Sequence, residues 1–428
     1  MIMEKRFPRT SKQSRDMWLA AAREILTSSI EHYQLQGHFG PDKEELYTDV
    51  AYFGAAVPEK RKNLKKVLTI RSGTHGAEET AGCGIEIDMM DLMAKAQNRF
   101  FDPCAPSNDN LSEDAKAIIK FIQHQHILEH DYNGDIGIVM IRAVNPWGAA
   151  HITRDDHDFI DNNRCYLPHD PVTGKFYHQL LPLPLESYDK YPHLGGLLVP
   201  NSLDDATLDR RHTRLRKILN AEVRADLMRG QYDDPLKIIW GGDGISWSFR
   251  TTEKILDPIY ANTALAYDND LHSGLKRKDK PTGSVQMLLL AEEDGPIHQK
   301  IRRDLQECPM EDGGKAADIH SLFGTKSVST WVEGSAEGWL RHKYANSGKT
   351  IVPCGIEMGP KDGVELIDLL DAKGLRTAAR LLGDTHPKTA EIKQRLHDYF
   401  CPDDLEFERN AKADMRRIFR YQLYALAA

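Results

Sequence analysis

The sequence predicts an α/β protein: an open sheet flanked by helices, with a ligand crevice beyond the carboxyl ends of its strands. Three observations carry that expectation. Short apolar runs rich in β-branched residues alternate with longer segments of helical periodicity. The polar residues able to do chemistry stand directly after those runs. No repeat, low-complexity tract or linker divides the 428 residues. The expected organisation is therefore an N-terminal helical extension over 1–44, packed on a single main domain over 45–428.

Taken along the chain, Trp18, Leu19, Ala22, Ile25 and Leu26 recur at helical spacing within residues 11 to about 35. A basic spacer precedes Val67-Leu68-Thr69-Ile70, which reads as a buried strand closed by the tight loop Ser72-Gly73-Thr74-His75-Gly76. Ala77 to about Lys95 and residues 113–129 read as helices. Asp135–Val144 is the strongest strand signal, and Asn145-Pro146-Trp147-Gly148 after it has turn chemistry. Long loops are expected over 165–245, interrupted by a charged helix around Ala206–Arg229. A helix at Arg250–Ala261, a strand at Leu265–Asp270 with a turn at Asp270–Gly274, and a strand at Thr350–Met358 follow. The last 65 or so residues look helical.

Composition bounds the function classes. Hydrophobic residues make up 40% and charged residues 28%, enough for a large core. A net charge of -8 lacks the basic excess that a nucleic-acid surface needs. No run approaches the roughly 18 to 20 apolar residues of a membrane span, and the basic N-terminus leads into no apolar signal segment. The six cysteines lie far apart and form no CxxC pair, which suits a reducing compartment. A cytoplasmic protein without nucleic-acid or membrane partners is expected; oligomeric state is open.

The chemistry-bearing residues gather at strand ends. His75 lies in a loop after a strand and Glu78 stands three residues later at a helix start, a spacing that lets both turn toward one metal ion. HxxE occurs again at His126–Glu129, within the predicted helix, where a solvated face is the simpler reading. His272 follows another strand and could supply a third ligand; the competing reading is a hydrogen-bonded turn histidine. Asp270, two positions earlier, falls on the same side of the extended chain. An acid at the end of the late strand, Glu357, suits a general base, with Glu333 as its competitor. Arg154 and Arg164 follow the strongest strand. A guanidinium holds a carboxylate bidentately, although a loop paired to Asp155-Asp156 would look the same.

In order, Ser72-Gly-Thr-His-Gly-Ala-Glu-Glu, Asn145-Pro-Trp-Gly, Arg154, Asp161-Asn-Asn-Arg164, Trp240-Gly-Gly-Asp-Gly-Ile-Ser-Trp-Ser, Asp270-Leu-His-Ser-Gly and Ile356-Glu-Met-Gly resemble the zinc carboxypeptidase family and its bacterial branch of metallopeptidase-like proteins. The resemblance spans about residues 45 to 425. It implies a carboxypeptidase A-type fold, three layers with a mixed sheet of about eight strands between helices. It implies one zinc ion on His75, Glu78 and His272, with Glu357 activating the zinc-bound water and Arg154 stabilising the oxyanion. Asn163 and Arg164 would grip a substrate carboxylate, and Asp161 would hydrogen-bond the first histidine ligand. The implied activity is cleavage of a peptide amide bond. The alternatives are an aspartoacylase-like deacylase of N-acyl amino acids, or a binding protein on the same fold. Two departures stand out: Cys165 ends the family's Asp-x-Asn-Arg-Asn block, and no counterpart of the substrate-capping tyrosine is present, so the substrate stays open. For the Trp240–Ser248 block a loop-shaping role is expected.

Overall fold

The computed structural model describes residues 6–98, 101–108, 110–176, 202, 204–218, 230–232, 239–274, 280–289, 299–300, 303, 318–321, 334–344, 347–359 and 387–428. Its centre is an eight-stranded mixed sheet in the order β1-β2-β4-β3-β5-β8-β6-β7. The strands are β1 (Ser29–Phe39), β2 (Glu45–Gly54), β3 (Lys66–Ser72), β4 (Ile136–Arg142), β5 (Leu265–Ser273), β6 (Val285–Leu289), β7 (Asp318–Ser321) and β8 (Thr350–Met358). The four central strands β4, β3, β5 and β8 run parallel, and antiparallel β2 and β6 flank them. Every residue of β4 is buried, as is nearly all of β3 and β5. Parallel strands covered on both faces are largely apolar, which makes β4 legible as an unbroken run, whereas β3 and β5 also bury polar residues toward their carboxyl ends.

The pleat sorts the side chains into two cores. On one face Leu68, Ile70, Ile138, Met140, Tyr267, Leu271, Cys354 and Ile356 pack with α1 (Ser11–Glu24), α2 (Glu79–Gln97), α3 (Glu113–His124) and α9 (Leu405–Ala427). On the other, their strand neighbours Val67, Val139, Ile141 and Ala266 meet α6 (Trp247–Tyr260) and α7 (Ala336–Tyr344) through Ile255, Leu256, Ile259, Tyr260 and Leu340. The sheet thus lies between two helical layers, as the expected fold class requires. Three further helices are α4 (Pro146–His151), α5 (Asp205–Ile218) and α8 (Pro387–Phe400).

Several local expectations are corrected. The first helix ends at Glu24, and residues 29–39 form the edge strand β1, paired with β2 from Ser29↔Tyr52 onward. This part of the N-terminal 44 residues is sheet rather than helical extension: β2 offers a ladder whose hydrogen bonds override a marginal helical pattern. The turn expected at Asn145 opens a short helix instead, because the Asn145 side chain accepts from the Gly148 N–H at 2.9 Å and Pro146 occupies the first helical position. Helix α3 stops at His124, so His126 sits in a turn beyond it with φ of 56°. Strand β5 runs through His272 to Ser273, past the turn expected at Asp270. Of the charged helix expected over 206–229, the described part is α5; residues 219–229 lie outside the described residues, as does Glu333. Among the described residues, no helix is long and apolar enough to cross a membrane.

Candidate metal centre

Because β4, β3, β5 and β8 are parallel, the segments after their carboxyl ends converge on one crevice. The loop after β3 turns at Gly73, whose φ of +73° favours glycine. It then lays Gly76 against α4 so closely that a Cβ there would stand 2.0 Å from the Gly148 carbonyl carbon. A single turn of 3₁₀ helix, Gly76–Glu78, aims Glu78 back at its own histidine. His272 arrives from the end of β5.

These three side chains meet. His75 Nδ1 lies 3.1 Å from Glu78 Oε1, and His272 Nδ1 lies 3.3 Å from Glu78 Oε2. The two rings stand 4.8 Å apart, and all three residues are buried. A tetrahedral ion with bonds of about 2.0–2.1 Å holds its ligand atoms about 3.3 Å apart, so the donor spacing fits a zinc-sized cation. Two imidazoles and one carboxylate are also the donor types that such an ion takes at a catalytic centre. The Ser273 N–H donates to Glu78 Oε2 at 2.8 Å and fixes the carboxylate. Burial disfavours the charge on Glu78, but the adjacent His75 and His272 rings overcome this and hold its carboxyl down at about 2.

The other sequence-selected residues close around this cluster. Asp161 Oδ1 lies 3.4 Å from His75 Nε2, and its second oxygen accepts from Arg154 Nε at 2.8 Å. Burial opposes ionisation of Asp161, but Arg154 keeps its carboxyl well below the usual range. Arg154 Nη1 stands 3.9 Å from Glu78 Oε1, at the rim of the cluster. Asn163 donates its backbone N–H to Asp161 Oδ1 at 2.9 Å, while its own buried Oδ1 has no hydrogen-bond partner. Arg164 is buried, with Nη1 donating to the Asn163 carbonyl at 2.7 Å; burial and the nearby Arg154 cation lower its pKa. Glu357 is half-buried and pairs in register with His272 across β5–β8. The second HxxE copy is a 3.0 Å contact between His126 Nδ1 and Glu129 Oε1 on the surface, remote in character from the buried cluster.

The Trp240–Ser248 block shapes the loop that carries Asp161 to Arg164. The Trp240 carbonyl accepts from the Asp161 N–H at 2.8 Å. Ser246 Oγ donates to Asn162 Oδ1 at 2.8 Å and accepts from the Phe249 N–H at 3.0 Å, so one hydroxyl caps α6 and pins the loop.

Two groups at the site were not found by sequence reasoning. Arg71, Asp268 and Tyr260 form a buried polar stripe behind Asp270; the alternating Asp268-Asn269-Asp270-Leu271-His272 pattern was its available signal. Glu337, in the first turn of α7, brings its carboxylate within ligand range of Asp270 and His272. Burial, then the Asp270 charge, push its pKa up. Only the packing of α7 on β8 places it there, so no local motif announces it.

A three-layer α/β fold with a buried His/Glu/His cluster at the parallel strand ends defines the class of protein. The chain belongs to the family described as "Protein of unknown function (DUF2817)", whose model matches residues 7–100 and 116–414. It is similar, at low identity, to solved structures that include metallo-carboxypeptidases. One, from Burkholderia cenocepacia, is 12% identical with a TM-score of 0.39, covering 88% of this chain and 69% of that one. Another, from Pseudomonas aeruginosa and bound to (2-guanidinoethylmercapto)succinic acid, is 10% identical with a TM-score of 0.38, covering 97% and 70%. Bovine thrombin-activatable fibrinolysis inhibitor, in complex with tick carboxypeptidase inhibitor, is 7% identical with a TM-score of 0.40, covering 98% and 97%. No curated protein matches the chain.

Proposed function

We propose that this protein is a zinc-dependent hydrolase that cleaves an amide bond, with one ion held by His75, Glu78 and His272. The observation that carries the reading is the inward turn of both Nδ1 atoms onto the two oxygens of one buried carboxylate, at 3.1 and 3.3 Å. When bound, zinc supplies Lewis acidity and brings the pKa of water toward about 7. The chain's own residues do the rest. Glu357, beside His272 on the next strand, takes a proton from the attacking water and delivers it to the leaving amine. Arg154 stands 3.9 Å from the cluster carboxylate and donates to the oxygen on which negative charge develops. Asp161 holds both His75 and Arg154 in place.

The substrate class follows from Arg164 and Asn163. A buried guanidinium beside an amide whose NH2 can donate suits a free carboxylate on the substrate. The reading is therefore a carboxypeptidase-like enzyme acting on a peptide or N-acyl amino acid that ends in a carboxylate. The test is hydrolysis of a panel of peptides and N-acyl amino acids, each beside its carboxamide counterpart, before and after removal of metal by a chelator. Turnover that needs the carboxylate and returns with added zinc supports the reading. Peptide turnover marks a peptidase, and N-acyl amino acid turnover alone marks a deacylase. No turnover on either set contradicts the assignment.

A further inference from the structure

The two histidines of the cluster are oriented alike, and each has a buried carboxylate behind it. With Nδ1 facing Glu78, His75 Nε2 faces Asp161 Oδ1 at 3.4 Å and His272 Nε2 faces Asp270 Oδ2 at 3.5 Å. Asp270 and His272 are two apart on β5, so the pleat sets them on one face. Arg71 is in register with Asp270 across β3–β5 and donates Nη1 to Asp270 Oδ2 at 3.1 Å. Thr74, in the loop that carries His75, donates its hydroxyl to Asp270 Oδ1 at 2.8 Å. Arg71 is itself fixed by Asp268, through Nε at 2.9 Å and Nη2 at 2.7 Å.

All of Arg71, Asp268 and Asp270 are fully buried. A buried charge without partners is strongly destabilising, so this arrangement keeps Asp270 both ionised and immobile. A carboxylate at the outer nitrogen of a ligating histidine sets which nitrogen carries the proton and raises the basicity of the other. We infer that Asp270, braced by Arg71 and Thr74, is a positioning residue that orients His272 and leaves its Nδ1 free to bind metal. This rests on the metal-centre reading proposed above. Asp270, His272 and Glu337 also lie close enough to suggest a separate cation site. The Arg71 guanidinium sits 3.1 Å from Asp270 Oδ2, and its charge opposes a cation there.

The test is zinc affinity, by competition with a chromophoric chelator, together with the visible spectrum of the cobalt(II) form. Asp270→Asn should weaken zinc binding about 10- to 100-fold and alter the cobalt spectrum, while Asp270→Glu recovers part of the affinity. In a His272→Ala background, Asp270→Asn should weaken zinc binding no further, because its effect runs through that ring. Unchanged affinity in Asp270→Asn, or an equal loss with and without His272, overturns the inference while leaving the metal centre intact. If Asp270→Asn fails to fold, Thr74→Val, which removes one brace and no charge, should weaken zinc binding several-fold, and unchanged affinity in it overturns the inference. Absence of zinc binding by the native chain would instead remove the metal-centre reading.

Discussion

Glu357 stands directly beside His272, paired with it in register across the parallel β5–β8 ladder. In-register neighbours on parallel strands project to the same face, so the acid shares the crevice with the histidine without competing for its place. Glu357→Gln should therefore keep its zinc and lose hydrolysis by about 10²–10⁴-fold, the usual contribution of a positioned base. Elemental analysis beside turnover on the preferred substrate checks both halves. Retained activity would remove Glu357 from the proton-transfer role.

Arg154 and Arg164 should separate kinetically. Arg164 is buried beside Asn163, whereas Arg154 reaches toward Glu78. Arg164→Gln should raise KM for carboxylate substrates with little change in kcat, the mark of lost uniform binding. Arg154→Gln should lower kcat about 10²–10³-fold, as expected when a donor to a developing oxyanion is removed. The reverse pattern would exchange the two roles.

Ser246 links helix capping to the Asp161–Arg164 loop through a single hydroxyl. Losing the cap costs about 1 kcal/mol, and leaving Asn162 Oδ1 with only the weak Cys165 Sγ–H donor at 3.8 Å adds a similar amount. Ser246→Ala should be destabilised by about 2 kcal/mol in denaturant unfolding, with zinc content intact. A stability change near zero would show that the block does not brace the loop.

Glu86 provides a pH test away from the crevice. It is fully buried on α2 and accepts from Trp18 Nε1, and burial pushes its carboxyl up to about 8. The folded chain therefore holds this proton after the unfolded chain has released it near pH 4.5. This contribution is complete below that pH and is lost as pH rises through about 8, at about 1.4 kcal/mol per pH unit across the window. Glu86→Gln keeps a neutral side chain at all pH values, so its stability should fall less than that of the native chain between pH 5 and 8. Parallel slopes in unfolding experiments at those two pH values would contradict the burial argument.

Strand β4 was legible because burial on both faces leaves no polar alternation to confuse the reading over Ile136–Arg142. Strand β1 was not legible. Its half-exposed edge pattern overlaps the periodicity of α1, and only pairing with β2 decides the outcome. At the site, the position of His75, Glu78 and His272 at or just beyond strand ends pointed to the three side chains that the fold brings together, whereas the HxxE spacing recurs at the exposed pair His126–Glu129. Glu337 and the Arg71–Asp268 pair could not be read locally: strand register and helix packing, distant in sequence, bring them to the histidines.

The central claim is that His75, Glu78 and His272 hold one ion. Its most direct test is the zinc content, by elemental analysis, of the native chain, His75→Ala and His126→Ala after equilibration with zinc and removal of excess metal. The account predicts about one zinc per chain in the native protein and in His126→Ala, and almost none in His75→Ala. An equal zinc load in all three would contradict it.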